Sequence, residues 1–371
     1  MTVVFWMSVA FIVCAYGGYP AWLYLRSRFR ARPVHPAPIT PNVSIIIAVH
    51  NGAKFLAAKL QNLCELDYPS DRMEIVVVSD GSTDDTNRIL ADHAPGQFQA
   101  LVLPEHRGKA AALNQGIRTA KGAILFFTDV RQIIAPAALR IIASNFADPA
   151  VGCVSGELLF GKGTGDASSD GMGLYWKMEK KIRHWESLSG SSVGATGAIY
   201  ATRTMLTPEI PEGTILDDVY IPMRIAAQGS RVIFEPGAIA WDDAPEQVER
   251  EFRRKVRTLV GNYQIVKIAP WVLSGKNPLR FEFVCHKLLR LFVPFALVLA
   301  FFTSMFLKET LYRVAFDAQV GLCLLAGLAS LRPRLGIITR VGNISLAFLV
   351  LNAAAVTALF YFVSGKKEVW A

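Results

Sequence analysis

The sequence predicts an α/β domain with a mostly parallel sheet, flanked by transmembrane helices. Short apolar runs alternate with helical stretches over its first third: Val43-Ser-Ile-Ile-Ile-Ala-Val49, Glu74-Ile-Val-Val-Val-Ser79 and Ala123-Ile-Leu-Phe-Phe-Thr128. Such runs are too short for helices and rich in β-branched residues, so they read as strands buried on both faces. Strand and helix in alternation give a parallel sheet with helices packed on it. The first 25 residues carry no charge, and residues 341–365 form another uncharged run. Each is long enough to cross the roughly 30 Å hydrocarbon core.

Composition narrows the classes. Hydrophobic residues make up 52% of the 371, and mean hydropathy is +0.32, which excludes a disordered chain. No fixed-period repeat supports a collagen-like or coiled-coil reading. A net charge of +9 leaves nucleic acid, a membrane face or phosphate-bearing substrates as partners, depending on where the charges lie. The five cysteines are scattered without a C-x-x-C pair, so neither a zinc site nor a disulfide framework is expected, and a reduced cytosolic setting fits.

Residues 1–32 read as an N-terminal anchor. There is no basic n-region, the apolar stretch is too long for a signal peptide, and Arg26, Arg28, Arg30 and Arg32 follow at once. Basic residues stay on the cytoplasmic side, which places the N-terminus outside and the next segment inside. Residues 33–262 then form a cytoplasmic domain, entered through Pro33, Pro36, Pro38 and Pro41. Its helices are expected near 53–66, 84–94, 109–120, 219–228 and 246–261, with a short strand at 100–103. Residues 263–290 mix Lys267, Trp271, Lys276, Arg280, Lys287 and Arg290 with apolar side chains, a pattern for helices lying in the membrane interface. Single-stranded nucleic acid would suit the same pattern. The adjoining spans favour the lipid bilayer, so no nucleic-acid partner is expected.

Residues 291–371 read as about three spans. The middle one, near 314–331, is short and either crosses or re-enters. Arg332, Arg334 and Arg340 place the loop after it inside, which puts Lys366 and Lys367 on the disfavoured outer side. The protein is therefore expected to be a multi-pass protein of the inner or plasma membrane.

Polar residues gather at the carboxyl ends of the strands, where open α/β sheets bind ligands: His50-Asn51-Gly52, Asp80-Gly81-Ser82-Thr83-Asp84 and Asp129-Val130-Arg131. Any one of these is also an ordinary turn or helix cap. The absence of G-x-G-x-x-G after the first strand and of G-x-x-x-x-G-K-[ST] speaks against dehydrogenase and P-loop readings.

Together with Lys109-Ala-Ala-Ala-Leu-Asn114-Gln-Gly116, these motifs resemble family 2 glycosyltransferases, in particular the membrane-integrated branch. That branch includes hyaluronan, chitin, cellulose and poly-N-acetylglucosamine synthases and ceramide glucosyltransferase. The motif-bearing likeness covers roughly residues 43–262. It implies a GT-A fold and a UDP-sugar donor. Asp80, with Ser82 in the same loop, would hold the uracil or ribose, for which a carboxylate is a suitable acceptor. Lys109, with Asn114 on the same helix, would lie near the base or diphosphate, where a compact positive charge is useful. Lys109 could equally be a surface lysine. Asp129 would be the first Asp of a D-x-D motif holding Mg²⁺ or Mn²⁺ on the diphosphate.

The sequence departs from that pattern at Arg131, which replaces the second Asp. An arginine could bind phosphate oxygens itself, or pair with a carboxylate elsewhere. Gly194-Ala-Thr196-Gly197-Ala198 matches an acceptor-side segment, and is also readable as a plain loop. Leu216-Asp217-Asp218 matches the catalytic carboxylates, with Asp218 as the base, though both could merely complement a helix dipole. Arg254 and Arg257 match a basic motif and could grip the diphosphate or form a solvated face. Thr258 replaces the motif's tryptophan, which puts processive synthesis in doubt, with Trp241 as a substitute ring. The reading is an inverting glycosyltransferase moving sugar from a UDP-sugar to a membrane-associated glycan in polysaccharide biosynthesis. Single-sugar transfer to a lipid acceptor and an inactive scaffold subunit are the alternatives.

Overall fold

A computed structural model of the chain describes residues 1–93, 98–161, 170–243, 248–331 and 337–365. Ala94, Glu246, Arg332, Arg334, Lys366 and Lys367, on which some expectations fall, lie outside the described residues.

In chain order, the first half runs α1 (Thr2–Phe29), β1 (Val43–Val49), α2 (Ala53–Cys64), β2 (Met73–Asp80), α3 (Thr86–His93), β3 (Phe98–Leu103), α4 (Lys109–Thr119), β4 (Ile124–Phe127), β5 (Ile133–Ile134) and α5 (Ala138–Asn145). Then follow β6 (Val151–Phe160), α6 (Asp170–Ser189), β7 (Tyr200–Arg203), α7 (Asp217–Ala227), β8 (Arg231–Asp242) and α8 (Val248–Ile268). The chain ends in α9 (Arg280–Phe306), α10 (Thr310–Ser330) and α11 (Ile337–Ser364).

The eight strands form one sheet in the order β3-β2-β1-β4-β7-β6-β8-β5. The half built from the predicted strands is parallel: β1 pairs with β2 and β4, and β2 with β3. Beyond β4 the sheet is mixed. β7 runs antiparallel to both β4 and β6, β5 is antiparallel to β8, and β6 and β8 are parallel.

Alternation along β1 serves two cores. Ile45 and Ile47 pack with Leu56, Leu60 and Leu63 of α2 on one face, whereas Ile46 packs with Leu113 of α4, Val219 of α7 and Val256 of α8 on the other. Successive side chains of a strand point to opposite faces, so a continuous apolar run is what a sheet covered on both sides needs. Ala354 and Ala358 of α11 join the second core, so the last apolar helix is packed into the α/β domain.

Four helical stretches are long and apolar enough to cross a membrane: Thr2–Phe29, Arg280–Phe306, Thr310–Ser330 and Val341–Ser364. Two boundaries differ from expectation. The short middle stretch is a 21-residue helix, because it starts at Thr310 and carries Arg313 and Asp317 within it. The stretch 263–290 divides. Its first residues extend α8, which buries Val256, Val260 and Ile265 in the core, and its last residues continue into the apolar part of α9.

Candidate active site

Asp80 ends β2 and is 2% exposed. Its two carboxylate oxygens accept the backbone N–H groups of Arg107 and Gly108, each at 2.8 Å. His106 Nδ1 lies 2.8 Å from Asp80 Oδ2, and His50 Nδ1 lies 2.7 Å from the Asp80 carbonyl oxygen. The two imidazoles face each other at 4.0 Å. Gly81 is required in this turn: its φ is +60°, and a Cβ there would stand 2.3 Å from the His106 nitrogen. Ser82 Oγ accepts the Asn51 N–H at 3.1 Å and the Ser79 hydroxyl at 2.9 Å. Asp80 and Ser82 therefore shape the loop that delivers α4.

Lys109, the first residue of α4, is the hub. Its Nζ lies 3.0 Å from Asp129 at the end of β4 and 3.4 Å from Asp217 at the start of α7. Burial alone pulls the ammonium down, but Asp129, Asp217 and Asp218 together push it above its usual range. Asp217 is 3% exposed and accepts the Tyr200 hydroxyl at 3.2 Å. Burial and the adjacent Asp217 push the Asp218 carboxyl up to about 6, against the pull of Lys109, Arg183 and Lys287. A carboxylate poised there is suited to proton transfer near neutral pH.

Lys109, Asp129, Asp217 and Asp218 line one cleft of about 550 Å³, together with Arg131, Thr196, Gly197, Arg254 and Arg257, whereas Asp80 and Ser82 are not among its lining residues. Gly197 lies against Asp218: a Cβ at that position would be 3.0 Å from Asp218 Oδ2. Thr196 is fixed by Ser155 and Gly156 and receives Arg183 Nη1 at 2.8 Å. Arg254 lies over the Phe160 ring, and Arg257 is exposed at the rim.

Two of the expected site residues are engaged by protein partners. Asn114 does not reach the cleft with free amide groups: Nδ2 donates to the Ile210 carbonyl at 2.7 Å and Oδ1 accepts the Ile210 N–H at 2.9 Å. It fastens the segment leading to Asp217. Arg131 does not present a free guanidinium. It pairs with Asp242, which is 1% exposed at its side chain and also accepts Gln132 Nε2 at 2.9 Å. An uncompensated buried carboxylate is costly, which explains why the arginine turns towards it. Among the described residues, the buried atoms Arg131 Nε, Gln132 Oε1 and Asp242 Oδ1 have no hydrogen-bond partner.

The cleft is also lined by Trp176, Glu179, Lys180, Arg183, Gln132 and Asp242, which no motif marks, and by Lys287, which was expected in the membrane interface. Trp176, Lys180 and Arg183 share one face of α6 at i, i+4 and i+7, a signal that was available. Trp176, with Lys255 4.5 Å from its ring centre, brings an aromatic ring to the cleft lining, whereas Trp241 is not among the residues that line it. Behind this wall, His286 of α9 bridges Glu179 Oε1 at 2.9 Å and Glu186 Oε1 at 2.7 Å, and Glu186 also accepts the Tyr19 hydroxyl of α1 at 2.6 Å.

Among the described residues no three His, Cys, Asp or Glu side chains converge as a metal site. Asp129 is a single carboxylate with its side chain 39% exposed at a strand end. One such ligand suits a hard cation that takes its remaining oxygens from a substrate diphosphate and water, as Mg²⁺ commonly does. The residues present fit a divalent cation on those terms.

The profile described as Glycosyl transferase family 2 matches residues 44–205, and that described as Glycosyl transferase family group 2 matches residues 132–362. Poly-beta-1,6-N-acetyl-D-glucosamine synthase of Staphylococcus aureus is 24% identical over 229 residues, covering 60% of this chain and 55% of that protein. The probable glycosyltransferase YdaM of Bacillus subtilis is 24% identical over 240 residues, covering 61% and 56%. The chain thus spans about half the length of the curated relatives it matches. The structure of the mannosyltransferase PcManGT from Pyrobaculum calidifontis, in complex with GDP-Man and Mn²⁺, shares the fold with a TM-score of 0.75 at 22% identity, over 98% of this chain and 99% of that one.

Proposed function

The chain belongs to glycosyl transferase family group 2 and is a glycosyltransferase, and from that premise we propose that it transfers a sugar from a UDP-sugar to a membrane-associated glycan, with inversion, in polysaccharide biosynthesis. The observation that carries this reading is the Lys109 ammonium held between Asp129 and Asp217, with the raised carboxyl of Asp218 beside it in one cleft.

Asp218 accepts the proton of the attacking acceptor hydroxyl, and its pKa near 6 leaves it ionised at neutral pH. A single displacement from the face opposite the leaving diphosphate inverts the anomeric centre. Lys109 neutralises charge on that diphosphate as the bond breaks, and Arg254 and Arg257 lie along the same cleft to assist. Asp80 supports the nucleoside side through the loop that its carboxylate oxygens hold. A divalent cation, Mg²⁺ or Mn²⁺, held by Asp129, would supply further electrostatic stabilisation of the leaving group. Asp217, hydrogen-bonded by Tyr200, fixes Lys109 and keeps the Asp218 carboxyl raised.

A second reading, transfer of one sugar to a lipid acceptor, is favoured by Lys287: this residue of an apolar helix lines the cleft, so the acceptor side borders a stretch able to lie in the bilayer. In both readings the catalytic domain is cytoplasmic.

The test is nucleotide release by the purified full-length chain in lipid nanodiscs, screened over UDP-sugars with GDP-mannose as comparison and Asp218→Asn as control. Release of UDP that depends on Asp218 supports the reading. Release of GDP alone, or equal release by the Asn variant, overturns it. Product length separates polymer from single transfer.

A further inference from the structure

A second cleft, of about 440 Å³, lies where the charged ends of two apolar helices meet. It shares no lining residue with the catalytic cleft. Its walls come from the end of α1 and the residues just beyond, the turn after α6, the end of α7, and the segment that enters α9.

The cations of this cleft fall into two groups. Arg231 is committed to the backbone carbonyls of Gly190, Arg32 and Ser187, and Arg26 pairs with Glu282 at 2.8 Å. Arg32 and Lys276 also line the cleft and are exposed. Among the described residues, neither their guanidinium nor their ammonium meets an acceptor. Glu186, an acidic group in the wall, is held by Tyr19 and His286. The unspent charge is therefore positive.

A third feature is Ser189, which lines the cleft, is 4% exposed, and has a buried hydroxyl with no hydrogen-bond partner among the described residues. A buried hydroxyl without a hydrogen bond is costly. Rotation about one bond is the motion that would turn it towards a ligand.

Aromatic side chains mark the depth. Trp22 and Phe281 are 37% and 52% exposed, pack edge to face at 4.9 Å, and lie beside Arg26, whose guanidinium is 4.9 Å from the Trp22 ring centre. Exposed aromatics at the ends of apolar helices sit at the headgroup level. Basic pockets between helices at that level suit lipid phosphates.

We propose that this cleft binds the phosphate of an anionic phospholipid headgroup, with Arg32 and Lys276 as its charge partners and Ser189 as a hydroxyl donor. Phosphate is the shared chemistry, and the lipid is its source. The test uses the full chain in detergent, titrated with phosphatidylglycerol, phosphatidylcholine or inorganic phosphate and read by native mass spectrometry. Phosphatidylglycerol should be retained over phosphatidylcholine and resist displacement by millimolar inorganic phosphate. The Arg32→Gln/Lys276→Gln double variant should lose about 25-fold in affinity, at about fivefold per cation. Ser189→Ala, which disturbs neither charge, should lose about fivefold. Equal retention of the two lipids, or unchanged phosphatidylglycerol binding in both variants, would overturn the proposal. Displacement by inorganic phosphate at matched concentration would overturn the lipid as the source.

Discussion

Replacing Asp218 by Asn separates its chemical role from its structural one. The residue lies in the first turn of α7, its carbonyl accepts the Ala195 N–H at 2.7 Å, and its side chain lies against Gly197. Asn keeps that shape and removes the basicity. Transfer should fall by about 10²–10⁴, the usual worth of a general base, with UDP affinity changed only a fewfold. In the wild type, a carboxyl pushed up to about 6 should give an acid limb there. At pH 5 the ionised fraction is about a tenth of that at pH 7, and the rate should follow. Stability should move the other way. The folded-state pKa lies above the unfolded value near 3.8, so Asp218 favours folding fully only below about pH 4, and that contribution is lost as pH rises through about 6. At pH 7 the folded chain holds a charge it disfavours, and Asn relieves it. The variant should gain on the order of 1–3 kcal/mol at pH 7, with the gain shrinking towards pH 4. Nucleotide release and thermal melting between pH 4 and 8 measure both. Full transfer by the Asn variant, or an unchanged acid limb in its residual rate, would refute the assignment.

Gly197→Ala should displace the Asp218 carboxylate, since the new Cβ would be 3.0 Å from Oδ2, and lower kcat by about 10–100-fold with donor affinity intact; equal kcat would place the base elsewhere. Asp80→Ala releases the Arg107 and Gly108 N–H groups and should weaken UDP binding by about tenfold or more in calorimetry; unchanged affinity would give Asp80 another role. Arg131→Asp should raise apparent Mn²⁺ affinity in donor-binding titrations and lower Tm by stranding Asp242, whereas identical metal curves would make Arg131 a structural partner only. Lys59 is fully buried, donates to Thr128 Oγ1 and the Gln132 carbonyl, and is pushed down to about 7 by burial, against the pull of Asp129. The unfolded chain binds the extra proton between about pH 7 and 10.5, so wild-type stability should climb over that range relative to Lys59→Met; parallel melting curves would contradict it.

The parallel half of the sheet was legible because the centres of β1, β2 and β4 are buried on both faces and are therefore written in runs of three or four large apolar residues. The mixed half was not. β6 contains Ser155 and Glu157, and β8 is interrupted by Glu235-Pro236-Gly237, so neither shows an apolar run or clean alternation. The site divides along the same line. Asp80, Lys109, Asp129, Asp217 and Asp218 lie at element ends, where short motifs mark them. Asp242 meets Arg131 across 111 residues, and no local pattern carries that pairing. Asn114 belongs to a recognisable motif, yet its partner, Ile210, contributes only backbone, which leaves no trace in residue identity.

The bridge from Glu179 and Glu186 to His286 bears on where this protein can be cut. A fragment ending at residue 262 and lacking the first 32 residues follows the hydropathy boundaries, and would be the natural choice for a water-soluble catalytic unit. It would keep both glutamates and discard Tyr19, His286, Lys287 and Arg290, the groups that hold Glu179 and Glu186 well ionised despite their burial. The fragment would then either protonate these carboxylates or open the wall that carries Trp176 and Arg183. Excision would damage the catalytic half through a counter-ion it no longer has, even if every strand survived.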